Sequence, residues 1–343
     1  MEIADLLAKL TARENLTRLE ARGLFERIMD GAVGPVPLAA VLAALSTKGE
    51  TLDEIVGVAE SMRSRVTPVR VPPGVTAIDT CSTGGDGLPT FNISTAVAIV
   101  AAAAGATVAK HGNRSNRRPS GSAEGLAALG VNVEADAPAL ERSLRECRVA
   151  FLYAARLHPA MRHAAPTRAE LKFRTIFNLV GPLTNPAGVR RQLLGVSRPE
   201  LVTTMVSALR LLGAERAMVV HGLDGLCDLS ISGPSRVARW DGLDLRMEEV
   251  DGSVVNVPPA RLDALFVRNP AESARVIEDV LAGAPGPARD AVVFNAAAAL
   301  WVAGLADDWA GGAQRAREAL DSGAAVRLLH RWRVVTGEPG SAG

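Results

Sequence analysis

Three clusters of anion-compatible residues fall inside one short stretch of the chain: Ser82-Thr83-Gly84-Gly85-Asp86-Gly87, Asn92-Ile93-Ser94-Thr95, and Lys110-His111-Gly112-Asn113-Arg114. Paired glycines after the strand-like Ala77-Ile78-Asp79-Thr80-Cys81 let successive backbone N–H groups turn toward one point, because no Cβ interferes. Asn92, Ser94 and Thr95 precede the apolar run Ala96 to Ala104, where a helix begins. A helix N-terminus carries unpaired N–H groups and partial positive charge, a natural seat for phosphate. Lys110 and Arg114 follow the apolar Thr107-Val108-Ala109 and add fixed charge. The lysine suits a point contact and the arginine a clamp on two oxygens. Ser122 opens the next helix, toward Leu129, by the same helix-end logic. If the strands are parallel neighbours, their C-terminal ends share one crevice. A lone glycine turn is as readily structural as functional, but three such clusters in one unit point to a polyphosphate. Neither G-x-G-x-x-G nor G-x-x-x-x-G-K-[ST] occurs, which disfavours the usual nucleotide sites.

The elements that must hold these clusters come in two styles. Up to about Arg65 the pattern is helical: Thr17-Arg18-Leu19-Glu20 and Thr51-Leu52-Asp53-Glu54 are capping boxes, and Pro35 and Pro37 open a helix between them. Pro68, Pro72, Pro73 and Gly74 read as a linker. Beyond Val75, strand candidates alternate with helices: Val131-Asn132-Val133, Val149 to Tyr153, Gln192 to Val196 and Ala217 to His221, with helices over Pro138 to Cys147, Leu201 to Leu212, Ser273 to Leu281 and Ala288 to Leu305. Alternation of this kind predicts an α/β fold: a small α-helical N-terminal domain, then a larger domain with a mainly parallel central sheet and helical crossovers. The tail after Thr336 is rich in Gly, Ser and Pro and is expected to fray.

Composition narrows the function class. With 343 residues the chain is long enough for about two domains, and 48% hydrophobic with 22% charged residues is ordinary for a soluble globular protein. A net charge of +1 and 3% aromatic residues argue against nucleic acid and anionic membranes as partners. The scattered Cys81, Cys147 and Cys227 suggest a reducing compartment, and acids at Glu2 and Asp5 are unlike a signal peptide, so a cytoplasmic location is expected. The longest apolar run, Ala96 to Ala109, is shorter than the roughly 20 residues a bilayer requires.

The three clusters, together with Arg174-Thr175-Ile176-Phe177-Asn178-Leu179-Val180-Gly181-Pro182-Leu183-Thr184-Asn185-Pro186 and Phe294 to Leu300, closely resemble the signature segments of the anthranilate phosphoribosyltransferases. The resemblance runs from the N-terminal helices to about His330. It implies Mg²⁺-dependent transfer of phosphoribose from phosphoribosyl pyrophosphate to the amine of anthranilate, in tryptophan biosynthesis, by a homodimer formed through the N-terminal helices. It implies a helical domain over 1–70 joined by helices from about 168–188, and a phosphoribosyl-pyrophosphate-binding domain over 71–167 and 189–343. The donor-binding residues it implies are Ser82, Gly84, Gly85, Asp86, Thr90, Asn92, Ser94, Thr95, Lys110, Asn113, Arg114, Arg118 and Ser122. For the acceptor it implies Ser82, Asn113, His158 and Arg168, with Arg168 on the anthranilate carboxylate. For the metal it implies Ser94, Asp228 and, by position, Cys227. Read without the resemblance, Arg168 is a solvated helix charge and His158 a surface or capping histidine. No residue order suggests covalent catalysis, and an aromatic amine, already neutral at pH 7, demands no strong base.

The chain departs from this family around the site. Where the family has an Asp-Glu pair, His221-Gly222-Leu223-Asp224-Gly225-Leu226 is followed by Cys227-Asp228, and a thiol is a poor ligand for a hard cation. Cys227→Asp is expected to lower the Mg²⁺ concentration giving half-maximal rate; an unchanged requirement places Cys227 away from the metal. Ser82 and Lys172 stand where glycine is usual, and Asn116-Arg117-Arg118-Pro119 replaces small residues. Two alternatives follow: a related transferase acting on another aromatic acid or a nucleobase, and a nucleic-acid-binding relative using Arg114, Arg117 and Arg118 as a basic rim.

Overall fold

The capping boxes start helices where the sequence places them. In a computed structural model describing residues 2–115 and 118–337, α1 (Ile3–Thr11) is followed by α2 (Arg18–Met29), α3 (Pro35–Lys48) and α4 (Leu52–Arg63). Thr17 and Thr51 each accept the N3 amide, from Glu20 and Glu54. Glu54 is buried and does more than cap: it accepts Leu16 N at 2.9 Å and Lys48 Nζ at 3.0 Å, tying α4 to α3 and to the segment that leads into α2.

The α/β part then runs β1 (Ala77–Ser82), α5 (Ile93–Ala103), β2 (Thr107–Gly112), α6 (Ser122–Ala128), α7 (Ala137–Cys147), β3 (Val149–Tyr153) and the short α8 (Ala154–Leu157). Next come α9 (Ala165–Leu171) and α10 (Ile176–Val180), which return to the helical bundle, and β4 (Arg191–Gly195), α11 (Glu200–Leu211) and β5 (Arg216–Gly222). A hairpin of β6 (Ser235–Trp240) and β7 (Leu245–Val250) precedes α12 (Pro270–Leu281), α13 (Pro287–Ala303), α14 (Trp309–Asp321) and α15 (Ala324–Gly337). The seven strands form one sheet in the order β3-β2-β1-β4-β5-β6-β7, parallel from β3 to β5 and antiparallel beyond.

Strand residues alternate between two buried faces. Ile78, Val108, Leu193 and Met218 pack with the Ala-rich α5 and α13 on one side. Leu194, Ala217, Val219 and Ala238 pack on the other with α11, whose core is continuous with the helical bundle. Because the chain leaves β1 for β2 and β3 and returns beside β1 as β4, strand order reverses at the β1–β4 boundary. In open α/β sheets the crevice beyond the strand ends at such a reversal is where ligands bind.

The expected mainly parallel sheet is present, with local corrections. Val131-Asn132-Val133 is not a strand: Gly130 at φ +79 ends α6, and Val131 N bonds back to Leu126 O at 3.0 Å. Asn132 then turns to α15, donating from its side chain to Thr336 O at 3.1 Å. The unforeseen β6–β7 hairpin has a turn signal in Asp241-Gly242, but its edge strand carries the outward charges Arg246, Glu248 and Glu249 and so reads as polar. Arg117 and residues 338–343 lie outside the described residues.

Candidate active site

The glycine loop sits on the β1–β4 reversal. Gly84, Gly85 and Gly87 have φ of +57°, +90° and +71°, the left-handed region where glycine alone is unstrained. At Gly85 a Cβ would lie 1.3 Å from Arg174 Nη1, because the Arg174 guanidinium lies across the loop and donates to Gly84 O (2.9 Å) and Thr83 O (3.2 Å). Ser82 turns its hydroxyl onto its own loop, accepting Gly84 N at 3.3 Å. The loop's far end is stitched to the 265–267 segment by Phe91 N to Leu265 O and Val267 N to Pro89 O.

α5 begins directly beneath this loop. Asn92 N donates to Ser273 Oγ at 3.0 Å, while Asn92 Oδ1 accepts the hydroxyls of Ser120 (2.7 Å) and Ser273 (2.8 Å), which locks the helix start in place. Lys110, only 1% exposed, reaches from β2 to donate to Ser94 Oγ at 3.1 Å and Thr80 O at 2.5 Å. The second and third clusters of the sequence therefore meet at one helix end. Thr90 Oγ1 and Thr95 Oγ1 are buried there without a hydrogen-bond partner among the described residues. A buried hydroxyl left unpaired is costly, and a bound anion would satisfy both.

Carboxylates ring the cradle. Asp86 accepts Arg118 Nε at 2.7 Å and Cys227 N at 3.1 Å, and a second Arg118 nitrogen closes the fork. Gly195 must be glycine because a Cβ would lie 1.6 Å from Cys227 O, so the 222–228 loop rests directly on the end of β4. Asp228 shares a small cavity with Ser94, Thr80 and Asn295; burial pushes its carboxyl up to about 6, against the pull of Arg118 and Lys110. The Cys227 thiol is buried and hydrogen-bonded with Thr83, and burial pushes it up to about 12, so it is no thiolate. Asp224 turns away, accepting Ser230 Oγ at 2.5 Å and the Ser232 hydroxyl. Asp228 and Ser94 give a hard oxygen pair suited to a divalent ion that completes its shell with substrate phosphates and water. Among the described residues no group of three or more His, Cys, Asp or Glu side chains forms a closed metal cage.

Of the expected acceptor residues, Arg168 lies against α10 and His158 against the end of β2. Arg168 is half-buried, its guanidinium stacked 4.9 Å over the Phe177 ring, and desolvation lowers its pKa without any opposing acid. His158 is buried and meets His111, Nε2 to Nε2, at 3.1 Å. Asn113 Oδ1 accepts Arg114 N at 2.8 Å. Arg114 itself points outward, 3.7 Å from Glu134 and over the Tyr153 ring, away from the cradle. Ser122 stands at the first turn of α6, beside the end of β2 at Gly112.

Two family models cover nearly the whole chain: the helical bundle domain of the glycosyl transferase family over residues 4–66, and its a/b domain over 74–326. The anthranilate phosphoribosyltransferase of Rhodospirillum rubrum is 46% identical over 99% of this chain and 97% of its own, and that of Anaeromyxobacter sp. strain K is 47% identical over 98% and 99%. The chain belongs to the anthranilate phosphoribosyltransferase family. Its fold matches the crystal structure of the Thermus thermophilus family member with a TM-score of 0.91 at 41% identity, covering 97% of this chain and 99% of that one. The Saccharomyces cerevisiae family member in complex with phosphoribosyl pyrophosphate and Mg matches at 0.89 and 25% identity, covering 98% of each chain.

Within this family fold, several residues matter that sequence reasoning passed over. Arg174 braces the glycine loop, and Asp79, buried in β1, accepts His111 N (3.0 Å) and Asn185 Nδ2 (2.8 Å), fixing the start of the acceptor side. Arg174 and Asn185 both lie in the long family segment Arg174 to Pro186, which was the available signal. Lys172 has φ +55, which explains why glycine is usual there in the family.

The histidine pair also carries a pH signature. Burial holds His111 down to about 3 and His158 to about 4, against 6.5 in an unfolded chain. The unfolded state therefore takes up protons that the folded state refuses. The pair's contribution is complete above about 6.5 and is lost as pH falls toward 4. Asp79 and Asp228, raised to about 6, run the opposite way between about 4 and 6. Comparing a His111→Phe/His158→Leu double variant with wild type cancels the carboxylates. The thermal midpoint of the variant should gain on wild type as pH is lowered from about 6.5 to about 4.5.

Proposed function

We propose that this chain transfers the phosphoribosyl group of phosphoribosyl pyrophosphate to the amine of anthranilate, releasing pyrophosphate, as a step of tryptophan biosynthesis. The observation that carries the acceptor assignment is Arg168, a desolvated guanidinium with no acid beside it among the described residues. A partly desolvated cation with no acid beside it is costly, and an aromatic carboxylate bound there would compensate it. The yeast family member has been captured with 4-fluoroanthranilate, which is consistent with that chemistry.

As the bond from ribose C1 to pyrophosphate breaks, positive charge grows on the sugar and negative charge on the leaving group. The protein's work is positioning and charge stabilisation. The glycine-loop amides, the first turn of α5 and the hydroxyls of Thr90 and Thr95 receive the phosphates. Lys110 is a fixed internal cation that holds Ser94 Oγ in place. Asp228 and Ser94 would hold Mg²⁺, which when bound neutralises pyrophosphate charge. Cys227→Asp remains the test of the other position, whose present side chain is bonded with Thr83. His158, Asn113 and Arg168 would present the neutral amine to C1.

The same reading places the protein in the cytoplasm as a homodimer. Its three cysteines are free and buried, and no helix among the described residues is long and apolar enough to cross a membrane. Leu19 on α2 and Val36 on α3 are each 78% exposed, an apolar surface on the N-terminal helices that a second copy would cover. We assign residues 1–70 with about 168–188 to one domain and the remainder to the other.

The test is to incubate purified protein with phosphoribosyl pyrophosphate, Mg²⁺ and a panel of aromatic amines, acids and bases, following pyrophosphate. Anthranilate fluorescence should fall in step with pyrophosphate release. Release only with another acceptor would establish the related-transferase alternative, and salt-dependent binding of DNA or RNA would favour a nucleic-acid-binding relative.

A further inference from the structure

The Asp86 carboxylate has no lone pair left for a metal. A carboxylate offers about four acceptor positions, shared between its two oxygens. Oδ1 takes Arg118 Nε at 2.7 Å and Leu88 N at 3.4 Å, while Oδ2 takes Arg118 Nη2 and Cys227 N, the latter at 3.1 Å. The Asp86 side chain is wholly buried and that of Arg118 only 14% exposed, so the fork belongs to the interior of the site. Because Arg118 Nη2 and Cys227 N share one oxygen, the guanidinium stands directly beside residue 227. The side chain there is a thiol, a poor ligand for a hard cation. Neither Asp86 nor Cys227 therefore fits a divalent ion, which leaves the oxygens of Asp228 and Ser94 to hold one. The two departures from the family also match in charge. One carboxylate is lost at Cys227 and one guanidinium gained at Arg118, together the charge of a divalent ion.

We propose that the Arg118 guanidinium, clamped on Asp86, takes the place of a second divalent ion and presents its free N–H edge to the pyrophosphate of the donor. This deepens the donor reading above and rests on it. The fork on Asp86 uses one edge of the guanidinium, and Nη1 bonds no described residue. That remaining edge suits two phosphate oxygens. The guanidinium offsets the Asp86 charge that would otherwise repel the phosphates, and it stabilises the leaving group without recruiting an ion from solution.

The experiment counts ions on the full-length protein with phosphoribosyl pyrophosphate bound. Mn²⁺ replaces Mg²⁺, and electron paramagnetic resonance separates free from bound ion against a protein-free control holding the same donor. Wild type should hold one Mn²⁺ per chain. Cys227→Asp/Arg118→Ser, which restores a carboxylate and removes the guanidinium, should hold two. Arg118→Ser should bind the donor at least about tenfold more weakly at limiting Mg²⁺, measured by calorimetry. That deficit should shrink as Mg²⁺ rises, because the freed Asp86 oxygens then accept an ion. Arg118→Ser should likewise enlarge the fall in Mg²⁺ requirement expected of Cys227→Asp. Two Mn²⁺ per chain in wild type overturns the proposal, and that count decides alone if the double variant does not fold. One ion in both proteins, or a deficit in Arg118→Ser that Mg²⁺ does not relieve, makes Arg118 a structural latch and overturns it too. A wild type that binds no phosphoribosyl pyrophosphate overturns the donor reading itself.

Discussion

Arg168→Gln should raise the KM for anthranilate by about 30- to 4,000-fold while leaving the KM for phosphoribosyl pyrophosphate nearly unchanged. The range follows from the roughly 2–5 kcal/mol lost when one member of a buried, hydrogen-bonded charge pair is truncated. The pair exists only with substrate bound, since no described acid faces the guanidinium in the structure. Without substrate the partly desolvated cation is a burden, so removing its charge should leave the thermal midpoint level with wild type or above it. Lysine at this position should recover only part of the activity, because an ammonium lacks the planar fork and stacks poorly on Phe177. Steady-state kinetics and a thermal melt of the same preparation separate the two readings. A midpoint that drops in step with activity would make Arg168 a structural residue and remove the main support for anthranilate.

Gly85→Ala should lower kcat/KM for phosphoribosyl pyrophosphate by about 100-fold or more, since the loop must give up two supports at once. A Cβ at φ +90 costs on the order of 1–2 kcal/mol of backbone strain. It would also occupy the position of Arg174 Nη1, 1.3 Å away, and so displace the bonds to Gly84 O and Thr83 O. Hydrogen bonds from a charged donor are worth about 1.5–3 kcal/mol each. Gly84→Ala is the comparison for folding: nothing lies within 4 Å of its Cβ position, so its cost is the left-handed backbone alone, about 1 kcal/mol. Thermal midpoints should therefore order wild type, Gly84→Ala, Gly85→Ala. Equal midpoints for the two variants would show that Arg174 does not brace the loop.

The order of elements and the donor cradle were legible in the chain because both rest on local rules. A capping box starts its helix wherever it lies, and paired glycines after a strand turn amides toward one point whatever surrounds them. Thr17, Thr51, Gly84, Gly85 and the start of α5 at Asn92 could thus be placed from neighbouring residues alone. Val131 to Val133 went the other way, because its apolar alternation was overruled by a glycine-terminated helix and by a bond to Thr336, more than 200 residues along.

Side-chain partnerships across sequence distance were decided only on folding. Sequence offered both Lys110 and Arg114 as phosphate cations, one for a point contact and one for a clamp; the sheet buries the first against Ser94 and turns the second out toward Glu134. It offered Arg168 as a surface charge and His158 as a cap. Folding instead lays one over the Phe177 ring with no acid beside it among the described residues and makes the other the partner of His111. By itself, then, the sequence determined the fold class and a seat for phosphates, since these depend on residue type and short spacing. The tertiary structure decided which charges are buried, paired or left open, because desolvation and pairing depend on neighbours that only the folded chain brings together.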